Sequence, residues 1–205
     1  MRTLLLSRWT KVVLFVLCLM PAVYIAYLYP TYKDPVSDIT HRTGDWTIRF
    51  LLITLTVTPL RGLVNQPQLV RFRRMLGLFA FFYGCLHLST WIVLDKFFDF
   101  HEMWQDVLKR RFITMGMLAL SLMLPLAITS TAGWVRRLGF KRWQRVHRLI
   151  YFSATAAVIH YYWLVKSDIR EPLMYGAILL VLMLYRAVVW ARRPSPKTSP
   201  KIAAV

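Results

Sequence analysis

The stretch MLGLFAFFYGCLHLSTWIVLD, residues 75–95, decides the fold class of this chain. Arg73 and Arg74 precede it, Asp95 closes it, and the residues between are mostly apolar. A helix of about 20 apolar residues spans the hydrocarbon core of a bilayer, which is about 30 Å thick. The stretch therefore predicts a membrane-spanning helix, and it places the imidazole of His87 inside the span.

Five further segments have the same length and character. With residues 75–95 they give six predicted spans, at about 8–29, 46–63, 75–95, 112–130, 146–165 and 172–190. The first is too long for a signal-peptide core, and PAVYIAYLYP, residues 21–30, offers no convincing cleavage site, so we keep it as a helix. The sequence predicts an all-α polytopic membrane protein, a six-helix transmembrane bundle in a single domain over residues 1–191. Residues 192–205, RRPSPKTSPKIAAV, are rich in Pro, Ser and Lys and are predicted to form a disordered cytoplasmic tail.

The composition agrees with a membrane protein and excludes a nucleic-acid-binding domain. The chain has 205 residues, a net charge of +18 and 57% hydrophobic residues, but only 18% of its residues are charged. A nucleic-acid-binding protein carries its basic residues on a polar surface. In soluble domains about 45–50% of the residues are apolar. Cys18 and Cys85 both lie in apolar runs, so neither a disulfide framework nor a cysteine metal site is predicted.

The positive charges predict the orientation of the chain. The loops on one side of the six spans carry 18 of the 27 Lys and Arg residues. The other nine lie on the opposite side together with all nine Asp and Glu residues. Because Lys and Arg near the ends of spans stay preferentially in the cytoplasm, both termini are predicted to be cytoplasmic.

Three histidines, His87, His147 and His160, lie in predicted spans, where an ionisable side chain is costly and therefore indicates a function. His87 lies about 12 Å of helix below Asp95, and His160 lies about 9 Å below Lys166. Two imidazoles at one level on different helices suit the two axial positions of a haem iron. The alternative is a pair of hydrogen-bonded histidines that line a polar cavity or a proton path.

His147 lies about 20 Å below His160 and roughly 140° from it around the helix, near the cytoplasmic edge. The residue facing it on the third span is Arg74, which cannot normally bind iron, so an inner haem lacks an obvious second histidine. The alternative is an interfacial histidine bonded to headgroups or to a loop carbonyl. An electron route through the cytoplasmic half still requires a carrier, which His147 or a flavin could supply. The basic cytoplasmic loops suit a flavin phosphate or an acidic donor protein, or simply anionic lipid.

Three motifs resemble one family. They are DPVSDITHRTGDWTIRFLLITLTVTPL at 34–60, RRMLGLFAFFYGCLHLSTW at 73–91 and RRLGFKRWQRVHRLIYFSATAAVIHYYW at 136–163. In order and spacing they are similar to the MsrQ (YedZ) family, the haem-binding membrane subunits of bacterial periplasmic methionine sulfoxide reductase systems. The resemblance runs over about residues 8–190 and implies a ferric reductase-like transmembrane fold in the bacterial inner membrane.

The resemblance also implies cofactors, ligands and a partner. The family binds haem b and FMN and passes electrons to a periplasmic, molybdopterin-containing methionine sulfoxide reductase subunit. Its haem histidines correspond to His87, His147 and His160, and Arg74 stands where related oxidoreductases have a fourth histidine, which leaves one or two haems open. His41 also matches, in a loop whose position favours docking over iron ligation.

These observations together predict a b-type cytochrome subunit that carries electrons outward, with His87 and His160 as the outer haem pair and His147 as the inner ligand. The donor is expected to be the quinone pool or a cytoplasmic flavin reductase. Sulfoxide reduction itself is expected on the partner protein, so this chain has no predicted catalytic residue. The alternatives are a stand-alone ferric or quinone reductase of the same fold, and a small transporter with a histidine proton relay.

Overall fold

The computed structural model describes residues 7–192, and that part of the chain is helical, without strands. Its nine helices are α1 (Arg8–Leu28), α2 (Pro35–Leu63), α3 (Val70–Thr90), α4 (Phe100–Lys109), α5 (Arg111–Ile128), α6 (Ala132–Leu138), α7 (Phe140–Val146), α8 (Leu149–Leu164) and α9 (Arg170–Ala191). A π-helical turn, Trp91–Asp95, extends α3. The all-helical, polytopic membrane fold predicted from the sequence is confirmed.

Short polar residues set several helix starts. The Asp34 carboxylate accepts a hydrogen bond from the Ser37 N–H, with Pro35 in the first turn of α2. Asp99 caps α4 in the same way through the Glu102 N–H. A side-chain acceptor at this position satisfies a backbone donor that the helix leaves free, which fixes where each helix begins.

The long helices run alternately between two ends of the bundle. All nine acidic residues lie near the end where α2, α5 and α9 begin, which we call the acidic end. The opposite end, which we call the basic end, holds the starts of α1, α3 and α8 together with α6 and α7. The uneven distribution of charge along the sequence is therefore a difference between the two ends of the folded molecule.

The core lies mainly between α2 and α3, which pack together closely, while α5 packs with α8. Leu51 and Leu55 of α2 are fully buried. Tyr83 of α3 is also fully buried, and its ring stacks on Phe50 with 5.2 Å between the ring centroids. The Tyr83 hydroxyl donates to the Cys18 carbonyl (2.9 Å) and accepts from the Ala22 N–H (3.0 Å). In a regular helix this carbonyl and this N–H would be hydrogen-bonded to each other. This contact fastens α1 to the core.

Four helical segments are long and apolar enough to cross a membrane, namely Arg8–Thr31, Pro67–Asp95, Arg111–Ile128 and Arg170–Ala191. Their outward faces expose many large apolar side chains, for example Val16 on α1 and Val181 on α9. Exposed apolar surface on this scale is typical of helices that face lipid.

The predicted count of six helices is not exact. The second helix begins at Pro35 rather than near residue 46, because the Asp34 cap starts it well before the apolar run. α8 has only 16 residues, because the chain turns at His147 and Arg148 before it. The helices α4, α6 and α7 connect spans and have no counterpart among the predicted ones. The predicted disordered tail lies, apart from Arg192, outside the described residues.

Candidate functional site

A cavity of about 250 Å³ lies among α2, α3, α5 and α8 towards the acidic end. His87 of α3 and His160 of α8 both line it. Their imidazole centroids are 6.0 Å apart, and the planes of the rings make an angle of 75°. The structure thus brings together two of the three histidines that lie in predicted spans.

Each of these imidazoles is held by a backbone carbonyl of another helix. His87 Nδ1 lies 2.9 Å from the Thr40 carbonyl oxygen of α2, and His160 Nδ1 lies 2.6 Å from the Phe112 carbonyl oxygen of α5. A carbonyl oxygen only accepts hydrogen bonds, so in each neutral ring the proton is on Nδ1. The lone pair is then on Nε2, which is the arrangement of a histidine oriented as a metal ligand.

Two glycines make room for the rings. A Cβ atom at Gly44 would lie 3.1 Å from His87 Cε1 and Nδ1. A Cβ atom at Gly116 would lie 2.9 Å from His160 Nδ1 and 3.0 Å from its Cε1. Both gaps are below ordinary van der Waals contact, so a larger residue at Gly116 would force the ring or the helix to move, and one at Gly44 would require a shift of a few tenths of an ångström.

The wall of the cavity is largely apolar, with side chains such as Ile48, Leu51 and Met123. Polar groups gather towards the acidic end, where His41, Asp45, Asp95, Arg110 and Tyr161 line the cavity. The Tyr161 hydroxyl donates to the Glu171 carboxylate at 2.5 Å. The cavity therefore has a water-excluding interior and a polar mouth, which is the usual construction of a cofactor site.

The donor set agrees with the haem predicted from the sequence. No group of three or more His, Cys, Asp or Glu side chains within residues 7–192 could hold a free metal ion. A haem iron needs only axial ligands from the protein. A metal lies about 2 Å from an imidazole nitrogen that binds it, so two rings on opposite sides of one ion have centroids about 6 Å apart. The separation between His87 and His160 has this size.

His147 lies elsewhere, in the turn between α7 and α8 near the basic end. Its Nε2 is 3.1 Å from the Thr129 hydroxyl oxygen, and its ring lies 4.0 Å from the Trp143 ring. It does not line the cavity that holds the other two histidines. The structure gives it partly buried polar and aromatic surroundings of its own.

The arginine nearest to His147 differs from the one that the sequence placed there. Arg74 is exposed, whereas Arg73 is partly buried and interacts with His147. Arg73 also lies near Arg186 and within hydrogen-bonding reach of the Tyr151 hydroxyl. A shift of one residue turns a helix by about 100°, which is enough to exchange an inward arginine for an outward one.

Sequence reasoning missed the backbone acceptors Thr40 and Phe112 and the glycines Gly44 and Gly116. It also placed His41 in a loop, whereas His41 belongs to α2 and lines the cavity. Gly44, three residues after His41 in THRTGDW, was an available signal, since a glycine inside a helix is costly unless something approaches it closely. Backbone carbonyls have no signature in a sequence.

Comparison with known proteins finds a matching family and several similar proteins. Residues 16–158 match the family described as ferric reductase like transmembrane component. A protein of Herminiimonas arsenicoxydans is 48% identical over 92% of this chain and 88% of its own length. One of Caulobacter vibrioides is 46% identical over 89% and 88%, and one of Xanthomonas oryzae pv. oryzae is 52% identical over 83% and 77%. All three relatives are named protein-methionine-sulfoxide reductase heme-binding subunit MsrQ.

Proposed function

The chain belongs to the MsrQ family of haem-binding subunits, and from this membership we propose that it is a b-type cytochrome that carries electrons to a methionine sulfoxide reductase. It is a haem-binding, multi-pass membrane subunit of a protein-methionine-sulfoxide reductase system. In the proposal the acceptor is a periplasmic, molybdopterin-containing subunit, and the electrons cross the bacterial inner membrane to reach it. The biological role is repair of oxidised methionines in periplasmic proteins.

The pairing of His87 with His160 is the observation that carries this proposal. The two residues come from different helices, share one cavity and keep Nε2 free of the backbone contacts that hold Nδ1. They would hold haem b, and the group would supply reversible one-electron transfer at that position. The Thr40 and Phe112 carbonyls orient the imidazoles, and the apolar wall would keep water away from a bound haem.

The basic end would provide the second half of the electron route. We assign His147 as an inner haem ligand and Arg74 to cofactor binding, as an exposed cation at the start of α3. FMN is proposed at the same end, since its phosphate requires cationic partners and the helices α6 and α7 supply Arg136, Arg137 and Lys141. The number of haems is then one or two, depending on whether His147 binds one.

The charge difference between the ends supports an orientation. Both termini lie at the basic end in the proposal, facing the cytoplasm, and the acidic end faces the periplasm and the catalytic partner. The electron donor would be quinol or a cytoplasmic flavin reductase. The membrane lipid is the remaining partner, and nucleic acid has no part.

A difference spectrum tests the proposal directly. The full chain, purified in detergent from haem-replete cells, is expected to show a b-type spectrum on reduction by dithionite. The reduced protein should then be reoxidised by the periplasmic catalytic subunit supplied with a methionine sulfoxide substrate. A colourless preparation would refute the cytochrome. A b-type protein that ferric citrate or a quinone reoxidises, but the catalytic subunit does not, would favour a stand-alone reductase.

A further inference from the structure

The helix α4, Phe100–Lys109, joins two spans at the acidic end and has three distinct faces. Phe100, Trp104 and Leu108 recur every four residues and are 65–70% exposed. His101, Gln105 and Lys109 form a neighbouring polar stripe, in which Lys109 Nζ donates to Gln105 Oε1 and Gln105 Nε2 is hydrogen-bonded to His101. One residue along a helix turns the side chain by about 100°, so the apolar and polar stripes lie side by side on the surface.

The third face of α4 is ionic, and its Asp106 is turned inward. Lys96, whose side chain is only 6% exposed, pairs with Glu102 and, at 2.8 Å, with Asp106. Asp106 is buried and also pairs with Arg110 at 3.0 Å. A helix of a water-soluble protein buries its apolar face and exposes its charges. In α4 the Asp106 carboxylate is buried against Lys96, whereas Phe100, Trp104 and Leu108 are left outside.

The short connection before α4 adds two more exposed aromatic side chains. Phe97 and Phe98 have φ angles of 46° and 63°, in the left-handed region that bulky residues rarely adopt, and both side chains are exposed. This backbone conformation is strained for a bulky residue, and glycine or asparagine would avoid most of the strain. Phe97 and Phe98 therefore add to the large apolar side chains exposed at this end of the bundle.

The position of α4 in the chain identifies the partner. It begins four residues after the span Pro67–Asp95 ends, and only Arg110 separates it from the span that begins at Arg111. The Thr114 hydroxyl on α5 donates to the Val107 carbonyl of α4, which ties the helix down to that span. The helix therefore stays at the level where two spans leave the membrane, and its apolar stripe is exposed at that level.

We infer that α4 is an interfacial helix that lies flat in the headgroup region of the leaflet at the acidic end, with Phe97, Phe100, Trp104 and Leu108 inserted among the lipids. Its polar stripe faces water and headgroups. Large apolar and aromatic residues on one side of a helix and polar residues on the other are typical of helices that bind at a membrane surface. The inward ionic face holds the helix against Lys96 and Arg110, and Arg110 also lines the histidine cavity.

Site-directed spin labelling of the full chain in phospholipid nanodiscs tests this inference. A label is placed at Trp104→Cys or Gln105→Cys in a Cys18→Ala/Cys85→Ala background, and Leu108→Cys and Lys109→Cys repeat the pair one turn on. Dissolved oxygen concentrates in hydrocarbon, whereas a nickel chelate stays in water. Labels at 104 and 108 should collide more with oxygen, and labels at 105 and 109 should collide more with the chelate.

Other outcomes would overturn the inference. Equal access of the chelate to 104 and 105 would show that the apolar stripe faces water. Exclusion of both reagents from 104 would show that protein covers it. A conservative variant, Trp104→Phe, provides a second measurement without labelling. The fluorescence that disappears in this variant is that of Trp104. Lipids brominated near the headgroup should quench this part of the wild-type emission, and quenching by aqueous iodide instead would contradict the inference.

Discussion

The imidazoles of His87 and His160 lie 6.0 Å apart in one cavity, and each is fixed at Nδ1 by a carbonyl from a helix other than its own. Four helices therefore set the geometry of two side chains. α3 and α8 supply the rings, while α2 and α5 supply the acceptors that orient them. Such a site is rigid as long as the packing of the bundle is intact, which suits electron transfer, since small changes in ligand orientation alter the properties of a bound metal.

Replacing either histidine of the pair should remove one and the same spectral component. His87→Ala and His160→Ala each delete an axial donor, so each is expected to abolish the b-type signal that depends on both. The reduced-minus-oxidised spectrum of the purified variants provides the measurement. His101→Ala is the matched control, because His101 is exposed on α4, where its ring is hydrogen-bonded to Gln105. Loss of different components in the two variants would show that the histidines bind separate haems.

Gly116→Ala should lower haem content or shift the reduction potential without removing a ligand. The new Cβ would lie 2.9 Å from His160 Nδ1, so the ring or α5 must move and the bond to the Phe112 carbonyl must change. Gly77→Ala is the control, since its Cβ would meet only a Thr54 methyl at 3.6 Å and alanine favours a helix by about 0.5–1 kcal/mol. Haem per protein and a redox titration distinguish the two. An unchanged Gly116→Ala protein would remove the packing argument for this glycine.

The class of the protein was predictable because it depends on local features. Apolar runs of membrane-spanning length and the motifs around His87 and His160 are continuous in the chain, and the predicted family and helical membrane fold are confirmed. The joint position of His87 and His160 followed from counting 1.5 Å per residue along two helices. Axial rise is insensitive to small errors in where a helix begins.

The direction of a side chain around the helix axis is more sensitive to such errors than its axial position. The differences between the predicted and the observed site concern this direction. One residue corresponds to about 100°, so the sequence placed Arg74 opposite His147 whereas Arg73 lies near it. The contacts of Gly44 and Gly116 with the imidazoles depend on the same angle between neighbouring helices. The helix α4 was not predicted because its apolar and charged residues offset each other in the mean hydropathy of the segment. The recurrence of Phe100, Trp104 and Leu108 every four residues was nevertheless visible in the sequence.

Lys96 should contribute a stabilising term that is lost at high pH. Its hydrogen bonds to Asp106 and Glu102 raise the pKa of the ammonium group above its ordinary value of 10.5. Its contribution is therefore complete below about pH 10.5 and disappears as the pH rises through the higher folded-state pKa. Lys96→Met should unfold more easily at pH 8, by about 1–3 kcal/mol, because it leaves Asp106 with one partner fewer.

Thermal unfolding in detergent checks this expectation. The unfolding midpoints of wild type and Lys96→Met are measured between pH 8 and pH 11.5, and their difference is compared across that range. The difference should shrink at the alkaline end, where the wild type also loses its ammonium charge. Lys166→Met is a control, since Lys166 lies exposed in the connection between α8 and α9. A constant difference across the whole range would mean that the effect of Lys96→Met does not depend on charge.

Tyr83→Phe should weaken the attachment of α1 to the core. The hydroxyl is buried between the Cys18 carbonyl and the Ala22 N–H, and phenylalanine fills the same space without serving either group. Leaving buried polar groups without their partner costs about 1–3 kcal/mol. A lower unfolding midpoint and faster proteolysis in α1 are expected, while Tyr162→Phe, at an exposed position, should resemble wild type. Equal stability of both variants would show that α1 closes its own bond instead.

The proposed inner haem depends on His147 as its ligand. It is held by the Thr129 hydroxyl and the Trp143 ring near the basic end, away from the cavity of His87 and His160. If it binds a second iron, His147→Ala should remove part of the b-type spectrum and leave the component that depends on His87. If it serves only to pack the turn before α8, Thr129→Val should have the same modest effect on stability as His147→Ala, and neither should change the ratio of haem to protein. That ratio, measured in wild type and in His87→Ala, separates one haem from two. A second component that survives in His147→Ala would require a ligand that the present assignment does not include.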